Sequence, residues 1–121
     1  MLLGLRSALY PAADLEAAKR WYTQVLGVAP YFDQPFYVGY SVGGFELGLL
    51  PDAASGNSGP QALWGVADAA AAYARLIVLG ADALEPPNDV GGGITVAAVT
   101  DPFGNRLGII QNPHFDATKV R

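Results

Sequence analysis

The sequence predicts an α+β fold in which two βαβββ modules form a cupped, mixed β-sheet with the helices on the outside. Of the 121 residues, 51% are apolar and 15% are charged, which is typical of one compact domain. An order of strand, helix and three strands occurs twice along the chain. The apolar faces of the two predicted helices repeat at a constant offset of 54 residues, from Leu15 to Ala69. A repeated order of elements with a fixed offset indicates an internal duplication.

Module one is predicted to span residues 1–50. An alternating segment at 4–12 predicts its first strand, and Asp14 suits the N-cap of a helix over 14–26 that ends at Gly27. Three further strand-like segments follow, at 28–33, 35–42 and 45–50.

Residues 51–60 are a linker by composition, and module two is predicted over 61–113. Asp68 is the expected cap of a helix over 68–79, which Gly80 ends. Four strands are predicted around this helix, at 61–67, 81–87, 94–100 and 106–112. Residues 114–121 form a tail, in which His114 is expected to be a surface residue or an anchor.

Composition excludes several classes of partner. The net charge is −4 and the seven basic residues are scattered, so no nucleic-acid surface is expected. No apolar segment reaches the roughly 18–20 residues of a membrane span, so no membrane partner is expected. The first residues lack the basic and apolar regions of a signal peptide, which makes a cytoplasmic location the expectation.

Two motifs connect the chain to a known family. Asp14-Leu15, Trp21-Tyr22 and Leu26-Gly27 resemble a signature of the glyoxalase / bleomycin-resistance / dioxygenase group, the vicinal oxygen chelate superfamily. The turn "DPFGN" at 101–105 resembles a late turn of the same group, and the paired modules cover nearly the whole chain. The resemblance implies the fold and a broad class of functions, which includes lyases, isomerases, ring-cleaving dioxygenases and drug-binding proteins.

The resemblance also implies where a metal would be held. Metal-dependent members take ligands from the first and last strands of each module, facing the cup. In this sequence those positions are occupied by Ser7, Glu46, Gln61 and Gly108. Only Glu46 is a strong ligand for a hard divalent ion. We therefore expect no metal and no other cofactor.

Glu46 is the candidate polar centre of the cup and the candidate catalytic residue. By strand alternation it shares a face with Gly48, whereas Leu47 and Leu49 should meet the helix. The same rule places Arg106 on the face of Gly108. The candidate ligand-binding residues are Ser7, Glu46, Gln61, Trp64 and Arg106. In an alternative interpretation, Glu46 has no functional role and only forms a pair with Arg106.

Aromatic residues are concentrated in the second half of module one. They could provide a stacking surface for a ligand, although at strand spacing aromatic side chains are more often core or dimer interface. The residues are Tyr31, Phe32, Phe36, Tyr37 and Tyr40.

Three functional hypotheses follow. The first is a metal-independent binding protein that sequesters a small apolar or aromatic molecule, since such ligands need apolar walls with few polar groups. The second is a lyase, isomerase or dioxygenase that uses Glu46 as general base or metal ligand. The third is a structural or regulatory dimer without a ligand. A homodimer is expected, with the modules paired within one chain or exchanged between chains.

Overall fold

The computed structural model describes residues 7–51, 56 and 62–119. The chain divides into two compact units, Met1–Ser55 and Gly56–Arg121, and the boundary lies within the predicted linker. Each unit contains four strands and one long helix in the order βαβββ. The α+β class and the two βαβββ modules are therefore confirmed.

Module one forms a four-stranded sheet in the order β1-β4-β3-β2. The β1–β4 pair is parallel and the other two pairs are antiparallel. The elements are β1 (Ser7–Pro11), α1 (Leu15–Leu26), β2 (Phe32–Gln34), β3 (Tyr37–Val42) and β4 (Phe45–Leu50). Strand β2 is shorter than the predicted segment 28–33 because Pro30 has no N–H to donate and pairing begins only after it.

The ends of α1 are set by the two residues that the sequence predicts. The Asp14 carboxylate accepts a hydrogen bond from the backbone N–H of Ala17 at 3.1 Å. Gly27 is left-handed, with a φ of 72°, and its N–H donates to the carbonyl of Thr23. Both contacts satisfy backbone groups that a helix end leaves unpaired.

The core of module one lies between α1 and one face of the sheet. Leu47 and Leu49 are fully buried there, and the rings of Tyr10 and Tyr22 meet edge to face at 5.9 Å. Burial of a leucine-sized side chain contributes about 1.5–3 kcal/mol. The register of β4 is therefore the one that alternation predicts, with Glu46 on the opposite face. The buried apolar side chains are Tyr10, Ala12, Leu15, Ala18, Trp21, Tyr22, Val38, Tyr40, Leu47 and Leu49.

Module two repeats this arrangement in a sheet of order β5-β8-β7-β6, with β5 and β8 parallel. Asp68 caps the second helix by accepting from the N–H of Ala71 at 3.0 Å. Gly80 follows with a φ of 111°. The elements are β5 (Leu63–Gly65), α2 (Ala69–Val78), β6 (Asp82–Asp89), β7 (Thr95–Thr100), β8 (Arg106–Gln111) and a final 3-10 turn (Ala117–Lys119).

Helix α2 covers one face of the second sheet, where Val99, Leu107 and Ile109 are buried beneath Leu76. The "DPFGN" turn precedes β8. The buried Asp101 carboxylate accepts from the N–H groups of Phe103 and Asn105, each at 2.9 Å. Asp101 therefore shapes its own turn, as its type and position predict. In the described ranges, no helix is long and apolar enough to cross a membrane.

Candidate functional site

The candidate site lies on the face of the module-one sheet that points away from α1. Its floor consists of Gly39 and Gly48, which are directly paired across β3 and β4. A Cβ on Gly39 would lie 3.3 Å from Cε1 of Tyr31, and a Cβ on Gly48 would lie 2.7 Å from two ring carbons of Tyr37. The two tyrosine rings therefore occupy space that only glycine leaves open.

Both tyrosine hydroxyls donate to the carboxylate of Glu46. Tyr31 donates to Oε1 and Tyr37 donates to Oε2, so each oxygen accepts one phenolic hydrogen bond. In the described part of module one, no basic side chain forms an ion pair with Glu46. Lys19 is paired instead with Glu16 at 3.0 Å and with Asp33 at 3.1 Å. The negative charge of Glu46 is thus stabilised by hydrogen bonds from two neutral phenols.

These contacts fix the protonation states of the three groups. The hydrogen bonds from Tyr31 and Tyr37 lower the pKa of Glu46. Burial, together with the hydrogen bond to Glu46, raises the pKa of Tyr37 to about 12. The hydrogen bond to Glu46 also raises the pKa of Tyr31. At neutral pH the site therefore holds one carboxylate anion and two protonated phenols.

Exposed phenylalanine rings adjoin the ring of Tyr37. The rings of Phe32 and Phe36 meet edge to face at 6.0 Å, and Phe32 also lies 6.0 Å from the ring of Tyr37. Tyr31 and Phe36 are each 64% exposed and Phe32 is 39% exposed. We call Tyr31, Phe32, Phe36 and Tyr37 the aromatic cluster. Four of the five aromatic residues singled out from the sequence therefore form an open surface.

Tyr40 is the exception because alternation places it on the helix side of β3. It is fully buried, and its hydroxyl lies 2.8 Å from the hydroxyl of Thr23 and 2.9 Å from the carbonyl of Lys19. Tyr40 therefore belongs to the core, which is one of the two roles that the sequence left open.

Serine hydroxyls lie beside Glu46 on both neighbouring strands. Ser7 is its partner on β1 and Ser41 its partner on β3. Ser7 is exposed, in agreement with its candidate place near Glu46. Sequence reasoning missed Ser41 and the two tyrosine donors. The pair Gly43-Gly44 was a sequence signal for Ser41. The two glycines adopt positive φ values in a two-residue hairpin turn, and this turn fixes the register of β3 against β4.

Module two contributes an ion pair that the sequence did not predict. Arg106 donates to both carboxylate oxygens of Glu85, at 3.0 and 2.8 Å. The hydrogen bond to Glu85 raises the pKa of Arg106, and the hydrogen bond from Arg106 lowers that of Glu85. Nε of Arg106 is buried and has no hydrogen-bond partner among the described residues. Among the described residues, the ion-pair partner of this guanidinium is therefore Glu85.

The remaining candidates of module two are Gln61, Trp64 and His114. Gln61 lies outside the described residues. Trp64 is the β5 partner of Ile109, which is buried beneath α2, so Trp64 lies on the helix side of the sheet and not on the face of Arg106. His114 anchors the tail, as predicted, because its Nε2 lies 2.6 Å from the carbonyl oxygen of Gly92.

The order of elements and the signature residues agree with a family comparison. The model of the Glyoxalase/Bleomycin resistance protein/Dioxygenase superfamily matches residues 4–109. The chain belongs to this superfamily. No curated protein matches the sequence.

Solved structures of the superfamily share the fold. A glyoxalase-related enzyme from Fulvimarina pelagi is 26% identical, with a TM-score of 0.75 and coverage of 93% of this chain and 90% of that one. A superfamily member from Sphaerobacter thermophilus is 22% identical, with a TM-score of 0.75 and coverage of 93% and 99%. The bleomycin resistance determinant encoded on the transposon Tn5 is 21% identical, with a TM-score of 0.68 and coverage of 91% and 98%.

The residues at the superfamily's metal positions do not fit a divalent ion in this chain. Glu46 is the one carboxylate among them, and each of its oxygens accepts one phenolic hydrogen bond. In module two, Gly108 is paired with Leu63, whose Cδ2 lies 2.8 Å from where a Cβ would be built on Gly108. Among the described residues, no three His, Cys, Asp or Glu side chains are grouped so that they could hold a metal. A hard cation requires several strong oxygen ligands, and Glu46 is the one strong ligand that these positions offer.

Proposed function

We propose that the protein binds a small organic molecule without a metal ion, on the open face of module one around Glu46. The observation that carries this proposal is a charged carboxylate, oriented by two phenols, beside an exposed aromatic cluster. Sites for organic ligands combine apolar and aromatic walls with a few fixed polar groups. In this chain the walls are the aromatic cluster, and the polar groups are Glu46, Ser7 and Ser41.

The same geometry favours binding over acid–base catalysis. A general base works best when its pKa lies near the working pH. The phenolic donors lower the pKa of Glu46, which weakens it as a proton acceptor at neutral pH. Burial raises the pKa of Tyr37 to about 12, which makes it a poor acid there. A lyase, isomerase or dioxygenase that uses Glu46 is the alternative that the experiments below are designed to detect.

The residues around Glu46 also favour ligand binding without a metal ion. We expect the purified protein to contain no stoichiometric transition metal, and added divalent ions to leave its thermal midpoint unchanged. A ligand that binds the native state must raise that midpoint by mass action. Elemental analysis that finds about one metal per chain, lost on Glu46→Gln, would contradict the proposal and favour the enzyme.

Ligand binding is tested with a set of small aromatic and aliphatic compounds and NMR of the tyrosine rings. Compounds that bind should shift the resonances of Tyr31 and Tyr37. The substitution Glu46→Gln should weaken the binding of these compounds while it changes the stability of the protein little. Glu16→Gln is a matched control because it removes the same charge from α1, on the other side of the sheet. If no compound moves the two tyrosines, the third hypothesis, a dimer without a ligand, replaces this one.

The biological role that fits such a site is sequestration of an apolar or aromatic molecule. One structural relative is a bleomycin resistance determinant, so this fold serves drug resistance in at least that protein. We further propose that the chain acts as a homodimer. Exposed apolar side chains in both modules support that assembly.

A further inference from the structure

Among the residues that the structure describes, no ion pair balances the charge of Glu46. Its two described partners are phenols, which burial and hydrogen bonding keep neutral. The described basic side chains that form ion pairs, Lys19 and Arg106, pair with other acids. The whole chain carries a net charge of −4, so its field also attracts cations. The site therefore presents a fixed negative charge without a counter-charge among the described ion pairs.

The carboxylate retains capacity for a further donor. An ionised carboxylate has about four lone-pair sites, and the two phenols occupy one on each oxygen. The phenols also fix its orientation, because their rings rest above Gly39 and Gly48. A ligand N–H that approaches Glu46 therefore meets an oriented acceptor.

The surrounding rings suit the same kind of ligand. A cation within about 6 Å of an aromatic ring face is attracted to it, by roughly 0.5–2 kcal/mol depending on exposure. Two rings of the aromatic cluster, Tyr31 and Tyr37, contact the carboxylate, and the rings of Phe32 and Phe36 continue from Tyr37. Three of the four rings are exposed. An anion would be repelled by Glu46, and a neutral hydroxyl would gain only the weaker hydrogen bond of an uncharged donor.

We infer that the site selects an organic cation, with its charged nitrogen against Glu46 and its apolar body on Phe32 and Phe36. This inference rests on the proposed binding function and specifies the chemical class of its ligand. Tyr31 and Tyr37 act as positioning residues that orient the carboxylate, and their rings lie beside the bound cation.

Three probes with similar bodies and different charges test the inference. They are 2-phenylethylammonium, 2-phenylethanol and 3-phenylpropanoate, titrated at pH 7 and low salt into protein with isotope-labelled tyrosine. The ammonium should bind at least about tenfold more tightly than the alcohol, and the carboxylate most weakly. Higher salt should reduce the preference for the ammonium because it screens charge.

Two pairs of variants separate charge from apolar contact. Glu46→Gln should abolish the preference for the ammonium, whereas the control Glu16→Gln should retain it within about twofold. Phe36→Leu should weaken the binding of the ammonium and of the alcohol by similar factors, because Phe36 is exposed and offers apolar surface to both probes.

The outcomes distinguish this inference from the proposed function. Equal binding of the ammonium and the alcohol, with both weakened by Phe36→Leu, would overturn the selection of cations and leave small-molecule binding intact. An ammonium preference that survives Glu46→Gln would overturn the role of Glu46. If none of the three probes shifts the tyrosines, the inference is wrong, and the wider compound set decides the proposed function separately.

Discussion

The ring of Tyr37 fills the space directly above the backbone of Gly48. A Cβ on Gly48 would lie 2.7 Å from ring carbons Cε1 and Cζ, closer than real contacts allow. From this position the Tyr37 hydroxyl reaches Glu46, two residues before Gly48 on the same face of β4. The absence of a side chain at position 48 is thus what lets the phenol meet the carboxylate.

Gly48→Ala is expected to disconnect Tyr37 from Glu46. The added methyl must push the ring aside, so the pKa of Tyr37 should fall from about 12 toward the usual value of 10.0. NMR titration of tyrosine labelled at Cζ measures this directly. Gly65→Ala is the control, since a Cβ there meets nothing within 4 Å. An unchanged Tyr37 titration in Gly48→Ala would show that the ring position does not depend on the glycine.

Stability should fall at alkaline pH in a way that depends on Tyr37. Its pKa is about 12 in the folded protein and 10.0 ordinarily, so the unfolded chain loses the proton first as pH rises. The stabilisation is therefore complete below pH 10.0 and is lost between pH 10.0 and about 12.

Urea unfolding of wild type and Tyr37→Phe across this range checks the prediction. The hydrogen bond to Glu16 raises the pKa of Lys19, which also weakens the fold at high pH, but this effect is common to both proteins. If the curves of unfolding free energy against pH are parallel for the two proteins, Tyr37 does not contribute to the loss of stability at alkaline pH.

Leu47→Ala should cost roughly 2–5 kcal/mol of unfolding free energy, because it leaves a cavity in a well-packed core. Leu47 is fully buried beneath α1. Its neighbour Glu46 lies on the opposite face, so Glu46→Gln should change stability far less. Urea denaturation of both variants measures the contrast, and a similar loss in the two would mean that the faces of β4 are not divided in this way.

Self-association should give a mass of about twice 12.6 kDa in light scattering at micromolar concentration. Large apolar side chains are exposed in both modules, and Val78 and Phe115 are 77% and 65% exposed. Association would cover part of this apolar surface. A mass that stays near one chain up to about 100 μM would exclude a stable homodimer.

Local rules in the sequence predicted most of the fold. Asp14 and Asp68 cap helices because their carboxylates accept from backbone N–H groups three residues later. Gly27 ends α1 because it adopts a left-handed conformation easily. Alternation identified which face of β4 is buried. Each of these features depends on residues close together in sequence.

Pairing between distant segments could not be predicted in the same way. Tyr31 reaches Glu46 across 15 positions, and Arg106 reaches Glu85 across 21. The register of β6 shifts on either side of Glu85, and no pattern in the sequence announces those irregularities. The side of Trp64 likewise depends on its pairing with β8. Position along a strand was readable, whereas these partners across the sheet were not.

The contact between Leu63 and Gly108 constrains how this chain could evolve. The Cβ of any residue introduced at position 108 would lie 2.8 Å from Leu63 Cδ2 and 3.1 Å from the Ala62 carbonyl oxygen, so a carboxylate there requires the Leu63 side chain to move. Trimming Leu63 alone would uncover the glycine without adding a ligand. The two positions are therefore epistatic, because the effect of a side chain at position 108 depends on whether Leu63 can turn away or is replaced by a smaller residue.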